Sequence, residues 1–212
     1  VFGIWYSGKT GIFQDDGEIV FASVRGQSLM ATLPDGSQVW LNGQSAVTFH
    51  SSYGLRNREL TLKGEGFFKV ASGQPRPFVV HVGDVTVAAL GTGFNIDAAG
   101  GPERVIVTLE SGEIYIERGN QRRYLKEGQQ AVIHEKCLTI SEVDTELFTS
   151  WRSGKIVFKN ETLRNITIQL EKLYDVEFVF ETNQLRDYRY RGTLYLDHTV
   201  LKALEMLEIS TG

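Results

Sequence analysis

Residues 104–117 read R-V-I-V-T-L-E-S-G-E-I-Y-I-E. Apolar and polar positions alternate on both sides of Ser111-Gly112, the pattern of two half-buried strands folded back at a turn. The same period of two spreads outward from this hairpin. Upstream, residues 37–41 follow the turn Pro34-Asp35-Gly36, residues 58–63 read R-E-L-T-L-K, and residues 78–82 read F-V-V-H-V before Gly83-Asp84 and Val85-Thr86-Val87. Downstream, Lys126-Glu127-Gly128 precedes a strand at 130–133, and Leu138-Thr139-Ile140 ends the series. Strand signals recur roughly every 8–12 residues with no helical periodicity between Glu18 and Ile140. They predict an all-β domain, a β-sandwich or a β-roll.

The period changes after Asp144. A short strand at 154–158 is followed by Asn160, placed to cap a helix whose apolar stripe is Leu163, Ile166, Leu170, Leu173 and Tyr174. Residues 176–180 and 188–194 read as strands. Asp197 then caps a second helix striped by Val200, Leu201, Leu204 and Leu207. Asn160-Glu161-Thr162-Leu163 and Asp197-His198-Thr199-Val200 stand 37 residues apart, an internal repeat of a strand-cap-helix unit. The prediction is a mainly β protein with a smaller α+β domain. Residues 1–17 are a tail or edge strand, 18–142 the β domain, 143–150 a linker, and 151–212 a β-α-β-β-α(-β) domain whose last strand is missing, as if truncated.

Composition narrows the function. The chain has 212 residues, a mass of 23.8 kDa, a net charge of −4 and 42% hydrophobic residues, enough for one or two cored domains. Arg122-Arg123 and the arginines between 186 and 191 are short, interrupted runs, so the cationic surface that nucleic acid demands is absent. A single cysteine, Cys137, excludes an internal disulfide and a cysteine-based zinc cage. No apolar run approaches the roughly 18 residues of a membrane span.

Few motifs carry chemistry. Gly3-Ile4-Trp5-Tyr6-Ser7-Gly8-Lys9-Thr10 satisfies the phosphate-cradling pattern, but only two residues precede it and Gly11 interrupts any helix after it, so a tail or added edge strand is expected instead. His50, His81, His134 and His198 share no metal-ligand spacing. Glu110, Glu113 and Glu117 fall on a turn and on an outward strand face. Trp40, Phe67, Phe68, Phe78 and Phe94 are expected in the core; a carbohydrate-binding β module would instead need aromatics exposed together on one face.

Six segments in order resemble the periplasmic region of FecR-type anti-sigma factors, the transmembrane sensors of cell-surface signalling. They are Leu33-Pro34-Asp35-Gly36-Ser37-Gln38-Val39-Trp40-Leu41-Asn42, Leu62-Lys63-Gly64-Glu65-Gly66-Phe67-Phe68-Lys69-Val70, Pro77-Phe78-Val79-Val80, Leu90-Gly91-Thr92-Gly93-Phe94-Asn95-Ile96, Val107-Thr108-Leu109-Glu110-Ser111-Gly112, and Leu125-Lys126-Glu127-Gly128-Gln129-Gln130. Gly66 and Lys69 depart from the small and acidic residues usual there. The tail from 151 is similar to the short signalling domain of secretins and TonB-dependent transporters.

The resemblance implies a relay in the periplasm. A TonB-dependent outer-membrane transporter would present its signalling domain to this chain, periplasmic proteases would follow, and an extracytoplasmic-function sigma factor would be released. The cytoplasmic sigma-binding domain and the single membrane helix of such proteins are not in this sequence. No cofactor or metal is implied, and no enzyme activity. Docking by strand addition needs an open edge, and Tyr188-Arg189-Tyr190-Arg191 suits it, with aromatic and arginine residues alternating as in interface hot spots. One chemical exception concerns Gly91-Thr92. Some relatives cut themselves at a Gly–Thr bond, where a hydroxyl follows the scissile carbonyl; the competing expectation is a tight bend whose threonine hydroxyl satisfies the turn. Asp84, Asp97 and His81 are the nearest acid-base residues in sequence.

Overall fold

The structure is a computed structural model that describes residues 11–15, 17–135, 137–174, 176–195 and 199–209. The phosphate-loop-like segment, Asp197 and His198 lie outside these residues. The chain divides into two compact units, Val1–Thr145 and Glu146–Gly212.

Among the described residues the first unit contains fourteen strands. They begin with β1 (Gly11–Asp15), β2 (Glu18–Ala22), β3 (Leu29–Thr32), β4 (Gln38–Leu41) and β5 (Ala46–His50). Next come β6 (Glu59–Lys69), β7 (Phe78–Val82), β8 (Val85–Ala89), β9 (Gly93–Ala98) and β10 (Arg104–Ser111). The series closes with β11 (Glu113–Arg118), β12 (Gln121–Lys126), β13 (Gln129–His134) and β14 (Cys137–Glu142). They form two layers that share β6. One runs β1-β2-β5-β6-β7-β8-β11-β12 and the other β3-β4-β6-β9-β10-β13-β14; only β6 and β7 pair in parallel.

β6 changes layer at its midpoint. Residues 59–63 pair with β5 and β7, and residues 64–69 with β4 and β9. The crossing sits at Gly64, whose φ is +82°. A Cβ there would meet Ser45 Cα and Cβ at 2.9 Å, so only glycine lets the strand turn against its neighbour. The core lies between the layers. Phe68, Phe78 and Phe94 meet at its centre with ring centroids 5.3–6.4 Å apart. Phe67 is buried as expected, at 1% exposed, whereas Trp40 departs from the core expectation: it is half-buried and packs edge to face with Phe67 at 5.8 Å.

The second unit opens with α1 (Glu146–Thr149) and a 3-10 turn (Ser150–Ser153), followed by β15 (Lys155–Thr162), α2 (Leu163–Tyr174), α3 (Asn183–Arg186), β16 (Arg189–Tyr195) and α4 (Val200–Ile209). The segment expected as a linker is thus structured in part. Trp151 is buried, and Lys155 Nζ bonds Glu146 Oε1 at 3.0 Å, tying α1 to β15. β15 and β16 form an antiparallel pair. Ile166 and Leu170 of α2 and Ala203 and Leu207 of α4 pack with Ile156, Phe158, Tyr190 and Leu194 of the sheet.

Two expectations are corrected here. Asn160 is not a cap: it adopts φ +63° in a β-bulge, a conformation asparagine tolerates, and the strand continues to Thr162. Thr162 caps α2 instead, its Oγ1 accepting Asn165 N–H at 3.3 Å. Residues 176–180, expected as a strand, belong to no strand.

Candidate functional site

The Gly91-Thr92 turn is enclosed by two other loops. Thr92 is 3% exposed, and its carbonyl accepts Val70 N–H at 2.8 Å. Gly91 has φ +67°, and a Cβ on it would meet Ser72 Cβ at 3.0 Å. Gly93 N–H donates to Ser111 Oγ at 3.1 Å. A Cβ on Gly93 would stand 3.4 Å from Glu110 Oε2, and one on Gly112 would stand 2.7 Å from Thr92 Cγ2. The three glycines therefore let Ser72, Glu110 and Ser111 close around Thr92.

The threonine hydroxyl does not satisfy the turn. Thr92 Oγ1 is buried and has no hydrogen-bond partner in the structure, contrary to the tight-bend expectation. A buried hydroxyl without a partner forfeits about 1–3 kcal/mol. The acid-base residues nearest in sequence are occupied elsewhere. His81 contacts Thr86 Oγ1 at 3.2 Å, Asp84 binds Arg118 at 2.7 Å, and Asp97 accepts Ala99 N–H at 2.9 Å. Glu110 had been read only as part of a solvated face; the signal that places it here is its position immediately before Ser111-Gly112, the turn that folds against Thr92.

A buried charged cluster fixes these loops. Arg58 shares the inward parity of Leu60 and Leu62 and is 3% exposed. Its Nε donates to Asp35 Oδ2 at 2.7 Å, Nη1 to Arg76 O at 2.8 Å, and Nη2 to Ala71 O at 3.2 Å and Ser37 Oγ at 3.3 Å. Asp35 also accepts Ser37 N–H at 2.9 Å and Tyr53 O–H at 3.1 Å. Burial pushes the Asp35 carboxyl up, but bonds from the Ser37 amide, Arg58 and the Ser37 hydroxyl, with the Arg58 charge, hold it below its ordinary value. Burial first, then Asp35, raises the Tyr53 phenol. The cluster thus anchors residues 71–76, which carry the Ser72 that abuts Gly91. A second network joins Asn42 Nδ2 to Glu65 Oε2 at 2.9 Å and Asn95 Nδ2 to Glu65 Oε1 at 3.0 Å.

The strand proposed for docking is split by its own alternation. Tyr190 is 6% exposed and packs edge to face on Phe158 at 6.0 Å, so it is a core residue and not a contact residue. Gly192 leaves room for it, since a Cβ there would meet Tyr190 Cζ at 2.6 Å. Tyr188, Arg189 and Arg191 remain exposed, with Arg189 Nη1 donating to Asn160 O at 2.8 Å.

Sequence reading missed a tyrosine pair of the first unit, half-buried Tyr115 and exposed Tyr124. Tyr115 and Tyr124 lie 6.0 Å apart on β11 and β12, tilted by 58°, and the Arg122 guanidinium sits 4.4 Å above Tyr115. A sugar ring needs open and nearly coplanar faces, and this pair does not offer them. Among the described residues, no three His, Cys, Asp or Glu side chains gather into a metal site.

The chain matches the FecR protein family over residues 20–115 and the FecR C-terminal family over residues 155–212. The chain belongs to the FecR family. Two crystal structures of a candidate anti-sigma factor from Parabacteroides distasonis ATCC 8503, at 1.65 Å and 2.50 Å resolution, are similar to it. The first has a TM-score of 0.75 at 24% identity, covering 91% of this chain and 92% of its own. The second has a TM-score of 0.75 at 23% identity, covering 92% of each. No curated protein matches. In this FecR-family chain no described helix is long and apolar enough to cross a membrane.

Proposed function

We propose that this chain is the periplasmic sensor part of an anti-sigma factor. It receives a signal from the periplasmic signalling domain of a TonB-dependent outer-membrane transporter and thereby controls release of an extracytoplasmic-function sigma factor held by another part of the protein. The observation that carries the reading is the succession of the two FecR matches, the second falling on a unit with a two-stranded, open-edged sheet. An open edge accepts a partner strand through its backbone groups, while exposed side chains select the partner. Arg191 on β16 and Tyr188, the residue just before the strand, are the exposed selectors. Isothermal titration with the signalling domain of the transporter encoded beside this chain should give saturable binding, weakened about tenfold by Tyr188→Ala combined with Arg191→Glu. Binding unaltered by that pair would reject β16 as the docking edge; no binding at all would reject the relay.

The orphaned hydroxyl supports a second, chemical reading of the same chain. Thr92 Oγ1 attacks the carbonyl carbon of Gly91, the hydroxyl proton passes to a base, and the Thr92 nitrogen leaves and takes up a proton. Water then opens the resulting ester, giving a Gly91 carboxylate and a free Thr92 amine. Glu110, whose Oε2 would stand 3.4 Å from a Cβ on Gly93, is a carboxylate beside this turn. Denaturing mass spectrometry of purified protein decides the matter. Two fragments divided at Gly91-Thr92, absent in Thr92→Ala, are expected; an intact 23.8 kDa chain after long incubation would remove the reading.

A further inference from the structure

Three connections meet at one end of the first unit, and each passes between the two layers. Residues 70–77 lead from β6 to β7, residues 90–92 from β8 to β9, and Gly112 alone from β10 to β11. The middle connection carries the bond between Gly91 and Thr92, and the other two hold it at separate points.

The peptide joining Thr92 to Gly93 is held at both of its polar atoms. Its carbonyl accepts Val70 N–H at 2.8 Å, and its N–H donates to Ser111 Oγ at 3.1 Å. A planar unit pinned on both sides does not rotate, so the backbone on the C-terminal side of Thr92 is fixed. Ser111 reaches this place through a β-bulge. Leu109 pairs with Phe94 and Ser111 with Gly93, which leaves Glu110 as the extra residue of β10. In an unbroken ladder Glu110 would stand opposite Gly93; the bulge moves a hydroxyl into that place instead.

Gly112 acts on the side chain of Thr92. A Cβ on Gly112 would come within 2.7 Å of Thr92 Cγ2 and 3.3 Å of Thr92 Cβ. The threonine methyl is therefore seated against bare backbone. Threonine has three staggered χ1 wells, and fixing the methyl in one of them fixes the hydroxyl as well. That hydroxyl is buried and has no hydrogen bond to direct it. The seated methyl and the pinned peptide direct it instead.

We infer that Ser111 and Gly112 are positioning residues for cleavage at Gly91-Thr92, an assignment that rests on the self-cleavage reading above. Ser111 fixes the backbone after Thr92 and Gly112 fixes its rotamer, so that Oγ1 is held toward the Gly91 carbonyl carbon. In the step they serve, the bond from Oγ1 to that carbon forms and the bond from that carbon to the Thr92 nitrogen breaks. The hydroxyl proton ends on the nitrogen, and the water taken up afterwards splits the ester. Intramolecular attack depends steeply on alignment, so the loss of one constraint appears in the rate. Neither Ser111 nor Gly112 gives or takes a proton.

Time courses of cleavage in the full chain, read by denaturing mass spectrometry, test the assignment. Ser111 is exposed, so Ser111→Ala leaves the fold intact, which circular dichroism checks. Ser111→Ala should cut about tenfold more slowly than the native chain, and Ser111→Thr, which keeps the acceptor oxygen, at close to the native rate. Thr92→Ser keeps the nucleophile and drops the methyl; it too should slow about tenfold, although its hydroxyl is less hindered. The rate against pH should keep its midpoint in all three variants. Ser111→Ala cutting at the native rate, or Ser111→Thr cutting as slowly as Ser111→Ala, would overturn the role of Ser111 and leave self-cleavage standing. Thr92→Ser at the native rate would overturn the role of Gly112. A native chain that stays intact would remove the self-cleavage reading and this assignment with it.

Discussion

Asp35 and Arg58 show what a single pair of residues does for this fold. Three loops converge on one guanidinium, and no apolar replacement could bond two carbonyls, a hydroxyl and a carboxylate at once. Removing one partner leaves a buried charge unmatched, which costs about 3–5 kcal/mol. Arg58→Met should therefore lower stability by that order in chemical denaturation. The pH dependence has a definite sign. Asp35 is held below its ordinary value in the folded chain, so its contribution is present above the unfolded carboxylate value of about 3.9 and is lost as pH falls through the lowered value. Melting temperatures between about pH 7 and pH 2 should fall steeply at the acid end in the native chain and less steeply in Asp35→Asn. The turn at Pro34-Asp35-Gly36 was legible from residue types alone. The role of Arg58 was not, since alternation sets it on the side of Leu60 and Leu62 but does not show the distant carboxylate that lets a charge be buried there.

At the scale of elements, the 37-residue repeat survives translation into structure with its capping residue moved by two. Thr162 Oγ1 accepts Asn165 N–H, and Thr199 Oγ1 accepts Lys202 N–H at 3.4 Å, so caps and donors keep the same offset. The asparagine was the better cap by preference. What displaced it was a bulge that depends on β16, and pairing across thirty residues is invisible to local patterning. Thr162→Ala and Thr199→Ala should each cost about 1 kcal/mol and add in the double variant, read by urea denaturation. Residues 176–180 failed as a predicted strand for a related reason: β-branched and aromatic alternation states a preference, and a ladder also needs a neighbour. The strands read at 37–41, 58–63, 78–82, 85–87, 104–109, 113–117 and 130–133 were legible because both layers bury one face and enforce a period of two, whereas β5, β9 and β12 went unread.

On the scale of the whole molecule, the order of β domain and αβ domain was readable from the change of period, whereas the layer change at Gly64 was not. A glycine in an alternating run carries no sign of whether it kinks, bulges or merely packs. The two-unit organisation makes one outcome definite: a chain ending at Thr145 should keep a β-type circular dichroism spectrum and bind the transporter signalling domain at least tenfold more weakly than the full chain in calorimetry. The sheet order also interleaves sequence from both sides of residue 91. β6 lies against β9, and β8 against β11, so segments before and after the turn are stitched together by two separate ladders. A break in the backbone at that turn would thus be silent in shape. The two pieces would stay dovetailed like joined timber, separable by a pull along the strands but not by diffusion, and the cut would turn one chain into a latch.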